Sequence, residues 1–262
     1  MSDADQPAFA LPSGRTLAAA AGYQATGRSS SPHRHAQGQL LGSLKGLLSI
    51  GTEDGVWIVP SIHAVWLPPH HRHWARSHGA FDGFVVYVAE AACGALPQRP
   101  CTIRTSGLLR EAVLRAAATP LGPADARSGR IAEVILDEIG SLPIEPFGLP
   151  LPKDARLARV ARALIDDPAD ARDLEAWASW ACVSSRTLSR RFVTETGFSF
   201  TAWRQRARLL KSLEMLAAGQ PVGTIALDLG YATASAFIGL FRRVFSETPA
   251  AYRQRLSLGG RS

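Results

Sequence analysis

Arg186 and Arg190 stand one helical turn apart in SSRTLSRRFVTET, on the side of that stretch left free when Leu188 and Phe192 face inward. Ser189 and Val193 share their side. A guanidinium presents its forked donors to O6 and N7 of guanine, and a good bidentate pair contributes roughly 1–3 kcal/mol of base discrimination. A solvated basic helix face is the plainer meaning of the same residues. Far upstream, His33 and His35 form an HxH pair. On a strand, alternate residues share a face. A third histidine from a paired strand would complete three nitrogen donors suited to zinc, iron, nickel or copper.

The arginines sit inside a duplication. Ser184, Leu188, Phe192, Gly197, Trp203, Arg204, Gln205 and Arg206 recur 49 residues later as Thr233, Phe237, Phe241, Ser246, Tyr252, Arg253, Gln254 and Arg255. In each copy a hydroxyl residue suited to capping a helix opens an apolar stripe. A shorter apolar-striped segment precedes each, DLEAWASWA from Asp173 and VGTIALDLG from Val222, across a short turn. Two helices joined this way make a helix-turn-helix, whose second helix can enter the major groove. Between the copies, Phe200–Ala218 has helical spacing and a stop at Gly219. Its length, roughly 28 Å, approaches the roughly 34 Å between successive major-groove faces.

The second copy presents a different outer face: Ala234, Ser235, Ile238 and Gly239, with Phe237, Leu240, Phe241, Val244 and Phe245 expected inward. Arg242 and Arg243 come late, where gripping phosphate suits them better than reading bases. Specificity is therefore expected mostly from the first copy.

Charge supports this division. Residues 153–262 hold 17 Lys and Arg against 10 Asp and Glu, whereas residues 1–152 hold 12 of each sign. Basic charge on one half suits a polyanion, because each neutralised phosphate releases counterions. All seven histidines lie between His33 and His78. Cys93, Cys101 and Cys182 are too few and scattered for a disulfide framework or a CxxC site. That composition implies a reduced, cytoplasmic setting. No apolar run reaches the roughly 18 residues of a membrane span, so no membrane partner is expected.

Along the chain, residues 1–15 are expected to be a disordered tail, followed by a β-rich sensing and dimerisation domain over 16–140. QLLGSLKGLLSIG, GVWIVP, AVWLPP and FVVYVA supply its strands. Helical periodicity from Ser106 gives a helix pair, on which a homodimer through residues 107–140 is expected. The proline-rich stretch 141–152 is the expected connector. An all-α domain over 153–257 follows.

The run from Leu174 to Arg255, notably SSRTLSRRFVTETGFSF and IALDLGYATASAFIGLFRRVFSETPAAYR, resembles the paired helix-turn-helix domain of AraC/XylS-type bacterial transcription regulators. The resemblance places base-reading positions on Arg186, Ser189 and Arg190, and puts the usual polar reader of the second helix on Gly239. The N-terminal half resembles the cupin sensor domain of one branch of these regulators. Its first motif falls on Gly27, His33, His35, Gln39 and Gly46, with an amide where the motif has a carboxylate. The second motif's histidine falls on His73, although its glycine is His70 and its asparagine is Ser77. The implied fold is a cupin-like barrel with an appended helix pair, then an all-α tandem helix-turn-helix domain.

The resulting expectation is a regulator that binds double-stranded DNA through Ser184, Arg186, Ser189, Arg190, Thr233, Ser235, Arg242 and Arg243. A small-molecule effector would occupy a pocket of His33, His35, Gln39, Trp57, Trp66 and His73. His33, His35 and His73 hold a divalent transition metal, line a metal-free pocket, or only satisfy hydrogen bonds; the sequence leaves all three open. RNA polymerase is a further partner that the expectation allows. No enzymatic activity is expected; the alternative is a metal-dependent cupin enzyme tethered to DNA, for which Gln39 cannot act as a carboxylate.

Overall fold

The structure, a computed structural model, describes residues 11–123, 125–145 and 147–258, without the side chains of 255–258. The chain divides into two units: residues 1–53 with 57–148, and residues 54–56 with 149–262. The tail expected over 1–15 lies outside the described residues up to 10. Its last part is not loose, because Arg15 Nε donates to Gly122 O at 2.7 Å.

The first unit is built on strands β1 (Leu17–Gln24), β2 (Gly38–Thr52), β3 (Gly55–Pro60, from residue 57 on), β4 (His63–Leu67), β5 (His73–Val88), β6 (Cys101–Arg104) and β7 (Ile144–Glu145), in a sheet of order β1-β5-β2-β4-β6-β7, while all but the first residue of β8 (Gly148–Pro150) belongs to the second unit. Strand β3 pairs with β2. Strand β1 escapes a propensity reading because LAAAAGYQ is alanine-rich, and alanine is depleted in strands. It exists because it pairs with β5 along its whole length, from Leu17 opposite Val88 to Gln24 opposite Phe81. The long β2·β5 pair carries register shifts between Ser43 and Leu47. Gly46 supplies the backbone there, at φ 88, and a Cβ on it would meet Ala80 O at 2.6 Å. Such a bulge bends the ribbon and raises its twist.

Both sheet faces bury apolar side chains. Leu40, Trp66, Val86 and Val88 pack on one face with Leu109 and Val113 of helix α1 (Gly107–Ala117) and Ile135 and Ile139 of helix α2 (Ala126–Ser141). The apolar stripe of the helix pair completes the core on that face. Ser106 caps α1 by accepting from Leu109 N, and its hydroxyl donates to Glu138 of α2. On the other face Leu48, Ile50, Trp57, Val59, Val65 and Leu67 form a second cluster. The stretch expected as a bare connector carries the end of α2 and the short strands β7 and β8.

The second unit is helical: α3 (Ala155–Asp166), α4 (Leu174–Trp180), α5 (Ser185–Thr196), α6 (Phe200–Ala217), α7 (Val222–Asp228), α8 (Ala234–Phe245) and α9 (Pro249–Leu258). Its two halves use one skeleton. Phe192 meets Trp203 at 5.7 Å between ring centroids, and Phe241 meets Tyr252 at 5.8 Å. Arg204 donates to the carbonyls of Asp170 and Arg172 ahead of α4, and Arg253 donates to Gln220 O ahead of α7. The duplicated aromatic and arginine therefore fasten each unit's closing helix to its opening loop. Helix α6 packs on α3, α5, α7 and α9, which makes it the spine of the unit.

Candidate nucleic-acid interface and ligand cavity

Helices α4 and α5 form the first helix-turn-helix, and α7 and α8 the second. The turns share backbone bonds: Val183 N donates to Ala178 O, and Tyr231 N to Ala226 O, each at 2.9–3.0 Å. Ser184 caps α5 by accepting from Thr187 N at 3.2 Å, and Thr233 caps α8 by accepting from Ala236 N at 3.1 Å. Both hydroxyls were expected at the DNA, and both do their visible work on the helix ends.

Leu188 and Phe192 are fully buried, while Arg186 and Arg190 are exposed and Ser189 half-buried between them. Among the described residues neither guanidinium has an ion-pair or hydrogen-bond partner. Arg191, one step round the helix, differs. It is paired with Glu195 at 2.9 Å and with Asp154, and Glu195 accepts from the backbone N of Lys153 (2.7 Å) and Asp154 (2.9 Å). Hydrogen bonding from Arg156, then from backbone amides, holds the Asp154 carboxyl down to about 2. Helix α5 is thus fixed from behind by one arginine and leaves two others uncommitted in front.

On α8, Phe237 and Phe241 are buried, whereas Ser235, Gly239, Arg242 and Arg243 are exposed. Neither the Arg242 nor the Arg243 guanidinium has an ion-pair or hydrogen-bond partner among the described residues. Val244, expected inward, is 38% exposed, while its neighbour Phe245 still meets Phe241 at 4.6 Å between ring centroids.

The cavity lies on the β1, β5 and β2 part of the sheet. Alternation along β5 sends His73, Ala75, Ser77, Phe81, Val85 and Tyr87 toward it, and β2 contributes Gln39, Leu41 and Leu48. The segment before β2 runs across by two single bridges, Ser29 to Arg76 and His33 to His73. His33 and His35 therefore sit on a bridged extended segment, not on the regular strand expected for them. Gly27 opens this segment against the backbone; a Cβ there would meet Ser77 O at 2.8 Å.

His33, His35 and His73 come together, each offering a ring nitrogen within 4.8 Å of the others. Each Nδ1 faces a carbonyl two residues away: Ser31 O at 2.8 Å, Gln37 O at 2.9 Å and His71 O at 2.8 Å. A carbonyl only accepts, so Nδ1 carries the hydrogen and Nε2 is left bare in the neutral rings. Burial lowers His35 below its ordinary value and His73 to about 4, which keeps both neutral near pH 7. Histidines that hold metals commonly donate the other ring N–H to a carbonyl in this way, so the triad fits a transition metal.

Gln39 is 4% exposed beside His35 and Tyr87. Burial raises the Tyr87 phenol above its usual range. Sequence reasoning missed Tyr87, although it shares strand parity with Val85 and His73. Neither Trp57 nor Trp66 lines this cavity. Trp66 stands opposite Leu40, one residue out of phase with Gln39, so the pleat turns it to the helix-covered face. Trp57 lies in the second core cluster, with its ring against Gly148.

A family model described as a helix-turn-helix domain matches residues 177–255. The regulator RipA of Corynebacterium glutamicum is 35% identical over 122 residues, 47% of this chain and 35% of RipA. Among solved structures, ToxT of Vibrio cholerae aligns over 93% of this chain and all of its own, at 9% identity and a TM-score of 0.42. The HTH-type transcriptional regulator NimR of Escherichia coli K12 is 31% identical over 226 residues, covering 86% of this chain and 82% of NimR. With likeness over that share of both proteins, and with two capped helix-turn-helix units, the chain belongs to the AraC/XylS-type family of DNA-binding transcriptional regulators.

Proposed function

We infer that this regulator selects its DNA sequence mainly through α5 and changes its affinity for that sequence when a small molecule occupies the β-domain cavity. One observation carries the DNA half: Arg186 and Arg190 are exposed and uncommitted on the second helix of a capped helix-turn-helix. Ser189 lies between them as a short polar contact. Ser184, Thr233 and Ser235 approach the backbone at the helix starts, and Arg242 and Arg243 grip phosphate. The working division is a sensor and dimerisation domain over 16–140, a connector over 141–152 and a DNA-binding domain over 153–257. Two copies pair through the outer side of α1 and α2, where Leu108 is 59% exposed.

The cavity half rests on about 750 Å³ of space lined by polar and apolar side chains together. His33, His35 and His73 would hold a divalent transition metal, and a bound ion supplies a positive centre that orients a ligand's lone pair. The protein's role is binding, and a ligand shifts operator occupancy only by its differential affinity for the two states.

Protection mapping with the full chain on DNA flanking its own gene should reveal a discrete protected segment. Uniform affinity for all DNA would sink the specificity reading. Elemental analysis after exposure to zinc or nickel should find a stoichiometric ion that His73→Ala loses. Equal metal in that variant would remove the triad as the metal site.

A further inference from the structure

We propose that the cavity takes a small organic anion, an acid group on an apolar body; this rests on the sensor reading above and names its ligand class. The lining contains Arg28, His33 and His73 and neither Asp nor Glu. Asp82, opposite Tyr23 across β1 and β5, is not part of it. Arg28 is held in place through its backbone, which donates N–H to Ser77 Oγ at 2.9 Å and accepts from Ser77 N at 2.8 Å. Its guanidinium has no partner among the described residues. A positioned backbone with an uncommitted charge at a cavity edge is suited to a ligand's carboxylate, which a guanidinium can hold through two parallel bonds.

The remaining chemistry agrees on sign. With a metal at the histidines the wall gains positive charge that no carboxylate of the lining offsets, since Gln39 stands as a neutral amide. Without one, Arg28 is the permanent charge of the lining. Charge of one sign between apolar walls concentrates the potential inside a cleft. A cationic ligand would meet no counter-charge in this lining. Leu41, Leu48, Phe81, Phe84 and Val85 supply the apolar surface for the rest of the molecule.

Calorimetric titration of the full chain with 4-phenylbutanoate, 4-phenylbutanol and 4-phenylbutylamine, with and without zinc, compares three charges on one body. The acid should bind roughly tenfold or more tightly than the alcohol, and the amine weakest. In metal-free protein Arg28→Gln should reduce the acid to the alcohol's affinity, while Arg28→Lys keeps part of the difference. Arg28 is exposed, so neither variant threatens the fold. Binding of the alcohol or amine as tight as the acid, an acid advantage that survives Arg28→Gln without metal, or no binding by any of the three would overturn the proposal. The sensor reading fails separately, when a ligand that does bind leaves operator affinity unchanged.

Discussion

In the first helix-turn-helix the exposed side of the second helix carries Arg186 and Arg190; at the same positions, 49 residues on, the second carries Ser235 and Gly239. Val193 and Thr194 become Arg242 and Arg243, so positive charge moves from the start of the helix to its end. Behind the helix the change runs the other way. Arg191 and Glu195, which tie α5 to Asp154 and Lys153, are matched by Leu240 and Val244. The buried positions do not diverge in this way: Leu188 and Phe192 match Phe237 and Phe241, all fully buried. Packing holds the skeleton of a duplicated unit constant, because changes of core volume cost stability at once. The outer faces are under no such constraint and have separated into a polar, forked surface and a small, smooth one.

The largest test of this contrast is in DNA affinity. Arg190→Ala should weaken the preferred site by roughly 1–3 kcal/mol while sparing random DNA. Arg242→Ala should weaken both alike and reduce the salt slope by about 1. Competition binding at several salt concentrations separates the two, and equal losses on both DNAs for Arg190→Ala would take it out of the base-reading set.

A second test addresses the polar clamp behind α5. Because the folded Asp154 carboxyl is depressed to about 2, its contribution is complete above the ordinary carboxylate range and is lost as pH falls through about 2. Acid unfolding of Asp154→Asn should therefore show a weaker pH dependence than the parent between about pH 4 and 2. An unchanged profile would mean that the ion pairs at α5 do not hold it.

The smallest effect concerns backbone geometry, which the units share while exchanging residues. The left-handed position after the second helix is Gly197 at φ 79 in one unit and Ser246 at φ 60 in the other; in the turns it is Cys182 at φ 54 and Gly230 at φ 72. Each unit thus has one glycine where the conformation is free and one side chain where it costs roughly 1–2 kcal/mol. Ser246→Gly and Cys182→Gly should each stabilise by about 1 kcal/mol in denaturant unfolding. Stability that falls in either variant would show that the side chain contributes more than the conformation costs.

How far the sequence was readable follows from the range of the interactions. Ser184, Leu188, Phe192 and Arg190 announce a capped amphipathic helix because caps and helical faces are set within a few residues, and the 49-residue echo repeats the message. The β-domain is different. The alanine-rich β1 has no local reason to be a strand, and β5 extends back through the polar HWARSHGA only because β2 pairs with it.

What the sequence alone determined is the pair of reading units, their chemically unequal outer faces, and the three histidines as a group to watch. Tertiary structure decided what surrounds those histidines. It turned Trp66 away by one step of pleat, put Trp57 into the core, and brought Arg28, Gln39 and Tyr87 to the same cavity. The physical reason is that helical faces follow from spacing along one segment, whereas a sheet's faces depend on register between segments far apart in the chain, and one residue of slip exchanges pocket for core.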